Sequence, residues 1–268
     1  MKPIILAVAP NGAYKQKTDH QQIPITDRQI IETAMQAELA GANMLHLHIR
    51  DGNNNHSIDP NHYRDILLAL KEKTSLLVQV TSESANIFTV DQQIKMIEQL
   101  KPEFVSIALR EIMRTQSINL LQDLFQFMRQ HKISPQIILY DLNDAQQYLQ
   151  LLKDGVFKAT ALPVLYVAGK PSSLFTTIAM LDLSHANTSS WMICGFESLE
   201  YKCLLLALAL DGNIRIGFEN NLNDIFGKQA QNNQKQIQAS AKLIEQSGKT
   251  LALYDEVKKL MTPMWQDE

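Results

Sequence analysis

The stretch MLHLHIRD, residues 44–51, combines the alternation of a β-strand with two closely spaced histidines. Neighbouring side chains of a strand point to opposite faces, so His46, His48 and Arg50 share one face. The leucines and the isoleucine between them share the other face. Such a strand needs an apolar layer on one side and a polar, metal-competent site on the other.

Strand-like and helix-like runs alternate along the whole chain. The eight predicted strands lie at residues 3–10, 44–50, 76–83, 104–111, 135–142, 161–169, 190–196 and 213–220. A helical run follows each strand, and the first begins with Thr26 and Gln29 in the pattern of a capping box. Eight such units predict an α/β fold, the (β/α)8 or TIM barrel, whose usual size is about 250 residues. We expect a single domain over residues 1–268, with the last helix closing one end.

The composition indicates a soluble globular protein. Hydrophobic residues make up 45% of the chain and charged residues 20%, and the net charge of −3 provides no basic field for nucleic acid or anionic lipid. The apolar run near the first residue is short and is predicted to be a strand, not a signal peptide or membrane span. Cys194 and Cys203 are too few for a disulfide framework, so we expect a cytoplasmic protein.

A second predicted strand also carries polar residues on one face and apolar residues on the other. By alternation over residues 213–220, Glu219 points inward together with Arg215. In a closed barrel the first strand lies between this strand and the second, so Glu219, His46 and His48 could converge at the mouth. Two histidines and one carboxylate predict a catalytic zinc site or a non-heme iron site. The alternative is that each histidine is an ordinary hydrogen-bonded structural residue.

Further polar side chains are predicted to face the mouth from the third and fourth strands. They are Gln79, Thr81, Glu83, Ser106 and Arg110. Short hydroxyl residues at strand ends suit a polar ligand, although they could equally satisfy only main-chain groups. Asp51 follows the histidines, where it could orient one of them or cap the next loop.

Four segments resemble the β-keto acid cleavage enzyme family. They are APNGA (9–13), AGANMLHLHIRD (40–51), KPEFVSIALRE (101–111) and IRIGFENNL (214–222). The matches run in order along nearly the whole chain, and H-x-H-x-R-[DE] followed by R-x-x-x-E is a specific pair of motifs. The resemblance implies a zinc-dependent (β/α)8 barrel, usually a homotetramer. It also implies condensation of a β-keto acid with acetyl-CoA, giving acetoacetate and a new CoA thioester.

The resemblance also implies residue roles. The zinc ligands would be His46, His48 and Glu219. Arg215 matches the arginine that supports the family's catalytic base, and Thr81 and Ser106 match its hydroxyl residues at the substrate. Asn11 and Tyr14, which follow the first strand, are further candidates for substrate contact.

The chain departs from the family pattern where the base is expected. Asn220 stands where the family has an aspartate, and Ile138 stands where it has a glutamate. An asparagine amide is not a useful base near neutral pH. Either another acid takes the proton, or chelation makes the substrate acidic enough for water or hydroxide. The candidate acids are Glu83, Asp141 and Glu197, and Glu83 is favoured because it shares the inward face of Thr81, although a rim salt bridge is its alternative role.

The same departures change the expected substrate. Tyr14 replaces a glutamate that reads a substrate amino group, so we expect a neutral or apolar substituent, or an anionic one if Arg110 lines the pocket. Without acidic neighbours, Arg215 could hold the substrate carboxylate or a CoA phosphate. Two other functions remain open: another lyase or aldolase-type reaction on a keto acid, and a metabolite-binding barrel without turnover.

Overall fold

The computed structural model describes residues 2–169 and 173–266. The strands are β1 (Leu6–Val8), β2 (Met44–Leu47), β3 (Ile49–Arg50), β4 (His56–Ser57), β5 (Leu77–Thr81), β6 (Phe104–Ala108), β7 (Ser134–Leu139), β8 (Ala159–Ala168), β9 (Thr188–Gly195), β10 (Asn213–Ile216) and β11 (Met264–Trp265). The helices are α1 (Asp27–Leu39), α2 (Pro60–Lys73), α3 (Val90–Leu100), α4 (Leu109–Ile112), α5 (Ile118–Gln130), α6 (Leu142–Lys153), α7 (Leu174–Ser184), α8 (Glu200–Ala209), α9 (Asn233–Gln246) and α10 (Tyr254–Met261).

Eight parallel strands close into a barrel. They pair in the order β1, β2, β5, β6, β7, β8, β9 and β10, and β10 pairs again with β1. The short strand β11 adds to β8 in the antiparallel direction. The predicted (β/α)8 barrel is therefore confirmed. No helix in the described part of the chain is long and apolar enough to cross a membrane.

Two apolar layers hold the barrel together. Leu45, Leu47 and Ile49 belong to the layer between the strands and the surrounding helices, as the alternation predicts. The barrel interior has its own cluster, to which α10 contributes Val257 and Met261. Because α10 contacts β5, β7 and β9, it packs against the interior from the end opposite the polar mouth.

All eight predicted strands end earlier than the sequence pattern indicates, and three of these ends shape the mouth. The second leaves its ladder after Leu47, and Ile49–Arg50 pairs instead with His56–Ser57 as a hairpin. The eighth ends at Ile216, because Gly217 has φ +142° and lies so close to strand β1 that a Cβ would be 2.4 Å from the Ala9 oxygen. The fourth turns into helix α4 after Ala108. His48 and Glu219 therefore lie just where barrel strands end.

Candidate active site

Three predicted ligand side chains meet at the mouth of the barrel. Nε2 of His46 lies 3.1 Å from Nε2 of His48, and Oε2 of Glu219 lies 3.6 Å and 3.4 Å from these two nitrogens. Ligands about 2.0–2.1 Å from a tetrahedral ion are separated by roughly 3.3 Å. The spacing of the three atoms therefore fits one small divalent ion.

Gln79 sets the tautomer of His46. Its Oε1 is 2.9 Å from Nδ1 of His46, so Nδ1 carries the proton and Nε2 presents a lone pair to the other two ligands. Burial lowers the pKa of His46 to about 3, which keeps the ring neutral near pH 7. A neutral imidazole with a free Nε2 is the form that binds a metal ion.

Arg215 orients the carboxylate of Glu219. Its Nη2 is 2.8 Å from Oε1 of Glu219, whereas Oε2 is buried and has no hydrogen-bond partner among the described residues. Burial by itself would raise the pKa of Glu219, but Arg215 and the two histidines outweigh it and hold that pKa well below its usual range. A buried, ionised oxygen without a hydrogen-bond donor is costly unless a cation binds it, so the donor set fits a metal ion.

The turn that carries Glu219 is held by its surroundings. The Glu219 amide donates to the Ala9 carbonyl at 3.0 Å, and the Phe218 amide donates to Oδ1 of Asn233 at 2.9 Å. Buried Glu200 accepts from the Gly217 amide at 3.0 Å. The position of Glu219 therefore depends on a hydrogen-bonded turn and not on strand alternation.

Gly12 allows the loop after β1 to pass directly over Glu219, so we expect Gly12→Ala to weaken metal binding by at least about tenfold. The new Cβ would lie 2.5 Å from Cγ of Glu219, which would force the carboxylate away from the imidazoles. Competition with a chelator measures this loss. Gly155→Ala is the matched control, because Gly155 has a similar φ of +68° and a Cβ there meets nothing within 4 Å. Equal affinities in the two variants would contradict the prediction.

A cavity of about 770 Å³ opens beside these ligands. Strands β5 and β6 contribute Thr81 and Ser106, whose hydroxyl oxygens are 3.5 Å apart. The other described lining residues are Tyr14, His46, Glu83, Ala108, Ile138, Tyr140, Val167, Gly169, Ser173, Phe196, Glu197, Ser198, Leu199, Arg215 and Glu219. One side of the cavity is thus polar and metal-competent, while the side formed by β7, β8 and the loop after β9 is largely apolar.

Glu83 lies in the cavity close to the imidazoles. Its Oε2 is 3.8 Å from Nε2 of His48, and its amide donates to Oγ1 of Thr81 at 3.0 Å. Burial raises the pKa of Glu83 to about 7, and the neighbouring His48 opposes that rise. The next residue is fixed by Glu111, which accepts from the Ser84 amide at 2.8 Å.

The family is decided by comparison with known proteins. A sequence model of the β-keto acid cleavage enzymes matches residues 3–262. The chain belongs to this family. The predicted family resemblance is therefore confirmed.

Two relatives of this member of the β-keto acid cleavage enzyme family have low sequence identity to it but match nearly its full length. The 3-keto-5-aminohexanoate cleavage enzyme of Fusobacterium nucleatum subsp. nucleatum is 20% identical over 268 residues, which cover 98% of each chain. The 3-oxoadipate:acetyl-CoA acetyltransferase of Cupriavidus necator is 22% identical over 271 residues, covering 97% of this chain and 95% of the relative. A solved ternary complex of ObcA with a C4-CoA adduct and oxalate has a TM-score of 0.67 at 15% identity, covering 90% of this chain and 67% of ObcA. That likeness supports the barrel fold.

Two residues predicted for the substrate or the reaction lie outside the cavity lining, and a third lies at its rim. Asn11 is fully buried, and its amide donates to the carbonyls of Pro24 and His48, so it supports a ligand strand and does not line the cavity. Asn220 is also buried outside the lining, where it accepts from Nη2 of Arg215 and donates to the Arg215 carbonyl, both at 3.0 Å. Tyr14 does line the cavity, at its rim, with 64% of its surface exposed.

Several alternatives are resolved by charge pairing. Arg110 does not line the cavity; it pairs with Asp141 at 2.6 Å and Asp144 at 2.7 Å, so it is unavailable to an anionic substituent, and Asp141 is a poor candidate for the base. Asp51 accepts from the amides of Asn53 and Asn55 and caps its own loop. Arg215 has an acidic partner after all, because Glu219 takes the place of the missing ones.

Some lining residues were not predicted from the sequence. Tyr140 and Phe196 lie inside the predicted strands 135–142 and 190–196, two residues after the inward Ile138 and Cys194, and Leu199 follows the second of these strands. The ring of Tyr140 is covered by the guanidinium of Arg110, 4.5 Å from its centre. Alternation along the two predicted strands was the signal that could have identified Tyr140 and Phe196.

Proposed function

We propose that the chain condenses a β-keto acid with acetyl-CoA to give acetoacetate and a new CoA thioester. Family membership and the acetyl-CoA named for the Cupriavidus necator relative support this reaction. The observation that carries it is the convergence of His46, His48 and Glu219 beside Arg215 in one cavity. These groups suit a substrate with a carbonyl next to a carboxylate-bearing carbon.

We propose Zn²⁺ as the metal, held by the two histidines and Glu219, with Fe²⁺ as the second candidate because the same donor set serves both. The ion would supply a Lewis acid that stabilises negative charge developing on the keto acid. The tautomer set by Gln79 and the orientation set by Arg215 prepare the three donor atoms for it.

Arg215 is proposed to bind the substrate carboxylate. Its Nη2 is occupied by Glu219 and Asn220, and its side chain lines the cavity. Among the described lining residues, Arg215 is the one permanent cation. A guanidinium that lines a cavity is well suited to a carboxylate.

Glu83 is proposed as the general base. It lies 3.8 Å from His48, whereas Asn220 is outside the lining and Glu197 is exposed at the rim. The proton leaves the carbon between the keto and carboxylate groups and passes to Glu83. That carbon then attacks the acetyl carbonyl of acetyl-CoA. The CoA thiolate leaves and attacks the original keto carbon, the bond between that keto carbon and the central carbon breaks, and the acyl group is released as its CoA thioester. The proton held by Glu83 returns to the central carbon, which completes acetoacetate.

The substrate is proposed to carry a neutral substituent. Ile138, Val167 and Phe196 form an apolar wall, and Glu83 and Glu197 would repel an anion. We expect 3-oxohexanoate to have a kcat/KM at least about tenfold above 3-oxoadipate, because a buried negative charge without a partner is costly. We expect the same order against 3-keto-5-aminohexanoate, because Tyr14 stands where the family has the glutamate that reads the amino group.

These three acids share one six-carbon skeleton, so an assay of acetoacetate formation with acetyl-CoA isolates the substituent. Preference for either charged acid would contradict the proposed substrate class. If none of the acids exchanges but one raises the melting temperature, the result favours a metabolite-binding barrel over this reaction. The predicted cytoplasmic location and homotetramer stay predictions.

A further inference from the structure

A lysine in the loop after β1 bonds to the main chain of the third ligand. Nζ of Lys15 donates to the Phe218 carbonyl at 2.7 Å and to the Glu219 carbonyl at 3.1 Å. Its side chain crosses from the loop between β1 and α1 to the turn after β10. Lys15 is half-buried, so these bonds are partly shielded from water.

Arg50 holds the same loop from the other side. Its Nη2 donates to the carbonyls of Gly12 and Lys15, at 2.5 Å and 2.9 Å. Arg50 lies two residues after His48 on the chain segment that carries both histidines. Arg50, the loop and Lys15 therefore form a continuous connection between the histidine strand and the turn that carries Glu219.

The connection reaches the carbonyl oxygens of Phe218 and Glu219. The amides of the same peptide groups are held elsewhere, because the Glu219 amide donates to the Ala9 carbonyl at 3.0 Å and the Asn220 amide donates to the Gly217 carbonyl at 2.8 Å. Arg215 fixes the carboxylate through Oε1, and Asn233 and Glu200 hold the amides of Phe218 and Gly217. Lys15 is the described side chain that bonds to the carbonyl of Glu219 itself. The direction of the Glu219 side chain depends on the orientation of the peptide groups that flank it.

We propose that Lys15 is a positioning residue for the metal site, which holds the Glu219 main chain so that Oε2 faces the two imidazoles. Arg50 supports it by holding the loop. The inference rests on the proposed metal site and is independent of the reaction that the site performs. Outer groups that orient a ligand typically change metal affinity by about 10- to 100-fold.

The test compares Lys15→Met with Lys17→Met in the whole chain. Lys17 is in the same loop, and its Nζ donates to the Gln21 carbonyl at 2.8 Å, away from the ligands. Metal-stripped protein is titrated with Zn²⁺ in competition with a chelator, and with Co²⁺ to record the visible absorption of the bound ion. We expect Lys15→Met to bind Zn²⁺ about 10- to 100-fold more weakly and to shift the Co²⁺ bands. Lys17→Met should match wild type in both.

Metal-free melting temperatures separate positioning from simple support of the fold. A merely structural Lys15 would lower the metal-free melting temperature and leave Zn²⁺ affinity and the Co²⁺ bands unchanged, which would overturn the proposal. Lys15→Arg keeps a charged donor and is expected to restore most of the affinity. Lys15→Gln, whose shorter side chain is expected to lose the bonds to both carbonyls, serves in place of Lys15→Met if that variant does not fold. Equal weakening by Lys15→Arg and Lys15→Met would also overturn it. A wild-type chain that binds neither ion would end both this inference and the proposed metal site, whereas metal binding without turnover would end only the proposed reaction.

Discussion

His46→Ala is expected to lose nearly all bound metal and to lower turnover by roughly a thousandfold or more. Removing the ring leaves only His48 and Glu219 as ligands, which is too few for a stable site in competition with water. A catalytic metal ion contributes several kcal/mol of transition-state stabilisation, and each 1.36 kcal/mol is a factor of about ten in rate. The buried Gln79 would also lose its partner at 2.9 Å.

Elemental analysis of purified protein and the acetyl-CoA exchange assay measure the two effects. His131→Ala is the control, because His131 is exposed and its ring bonds only to the Phe127 carbonyl of its own helix. Melting curves with and without metal show whether the variant is folded. Equal metal contents in His46→Ala and His131→Ala would eliminate the proposed site.

Glu83→Gln is expected to slow proton removal from the substrate by about 10²- to 10⁴-fold, the usual contribution of a general base. The amide has nearly the same shape but cannot accept the proton. The measurement is deuterium exchange at the acidic carbon of a bound β-keto acid in heavy water, above the exchange without protein. An unchanged rate would remove Glu83 from the mechanism.

Two further variants locate the base if Glu83 is not it. Glu197→Gln removes the acid at the cavity rim, and a slow exchange in this variant alone would assign the role to Glu197. Asn220→Asp restores the family's acid, but we expect no acceleration, because Asn220 is buried against Arg215 and outside the cavity lining. A large acceleration would show that position 220 reaches the substrate. Wild-type rates in all three variants would point to water or hydroxide.

Alternation predicted the barrel well because it reports on burial. The outward faces of Leu45 and Leu47 pack under the helices, and the Thr26 and Gln29 capping box begins helix α1 as its spacing indicates. These features depend on neighbours within a few positions in sequence. Local patterns of this kind are read from one chain without knowledge of its tertiary contacts.

Alternation placed Glu219 correctly at the mouth but with the wrong local structure. The pattern predicts a strand face, whereas Glu219 points at the histidines from a turn that begins at Gly217. Arg110 was placed on an inward face, but helix α4 carries it towards Asp141 and Asp144. Beyond the end of a strand, hydrogen bonds to groups far away in the sequence determine the direction of a side chain. The period-two spacing of a strand does not predict those bonds.

Lys15 was missed for a different reason. It acts on main-chain carbonyls, which every residue possesses, so the residues at its target leave no trace in the sequence. The same holds for Asn11, whose amide bonds to the carbonyls of Pro24 and His48. A lysine or asparagine in a loop is usually read as solvated or as a ligand contact, and only coordinates reveal support of another residue's main chain.

The position of β1 between β10 and β2 makes the ligand set span the seam where the first and last parts of the barrel meet. About 170 residues separate His48 from Glu219 in the chain. During synthesis the two histidines leave the ribosome early, and the third ligand arrives only after the eighth strand. An ion that binds only the complete donor set favours the closed seam by mass action. Bound metal would therefore indicate that the barrel has closed. Loss of the ion would lower the stability of the barrel first at the seam between β10 and β2.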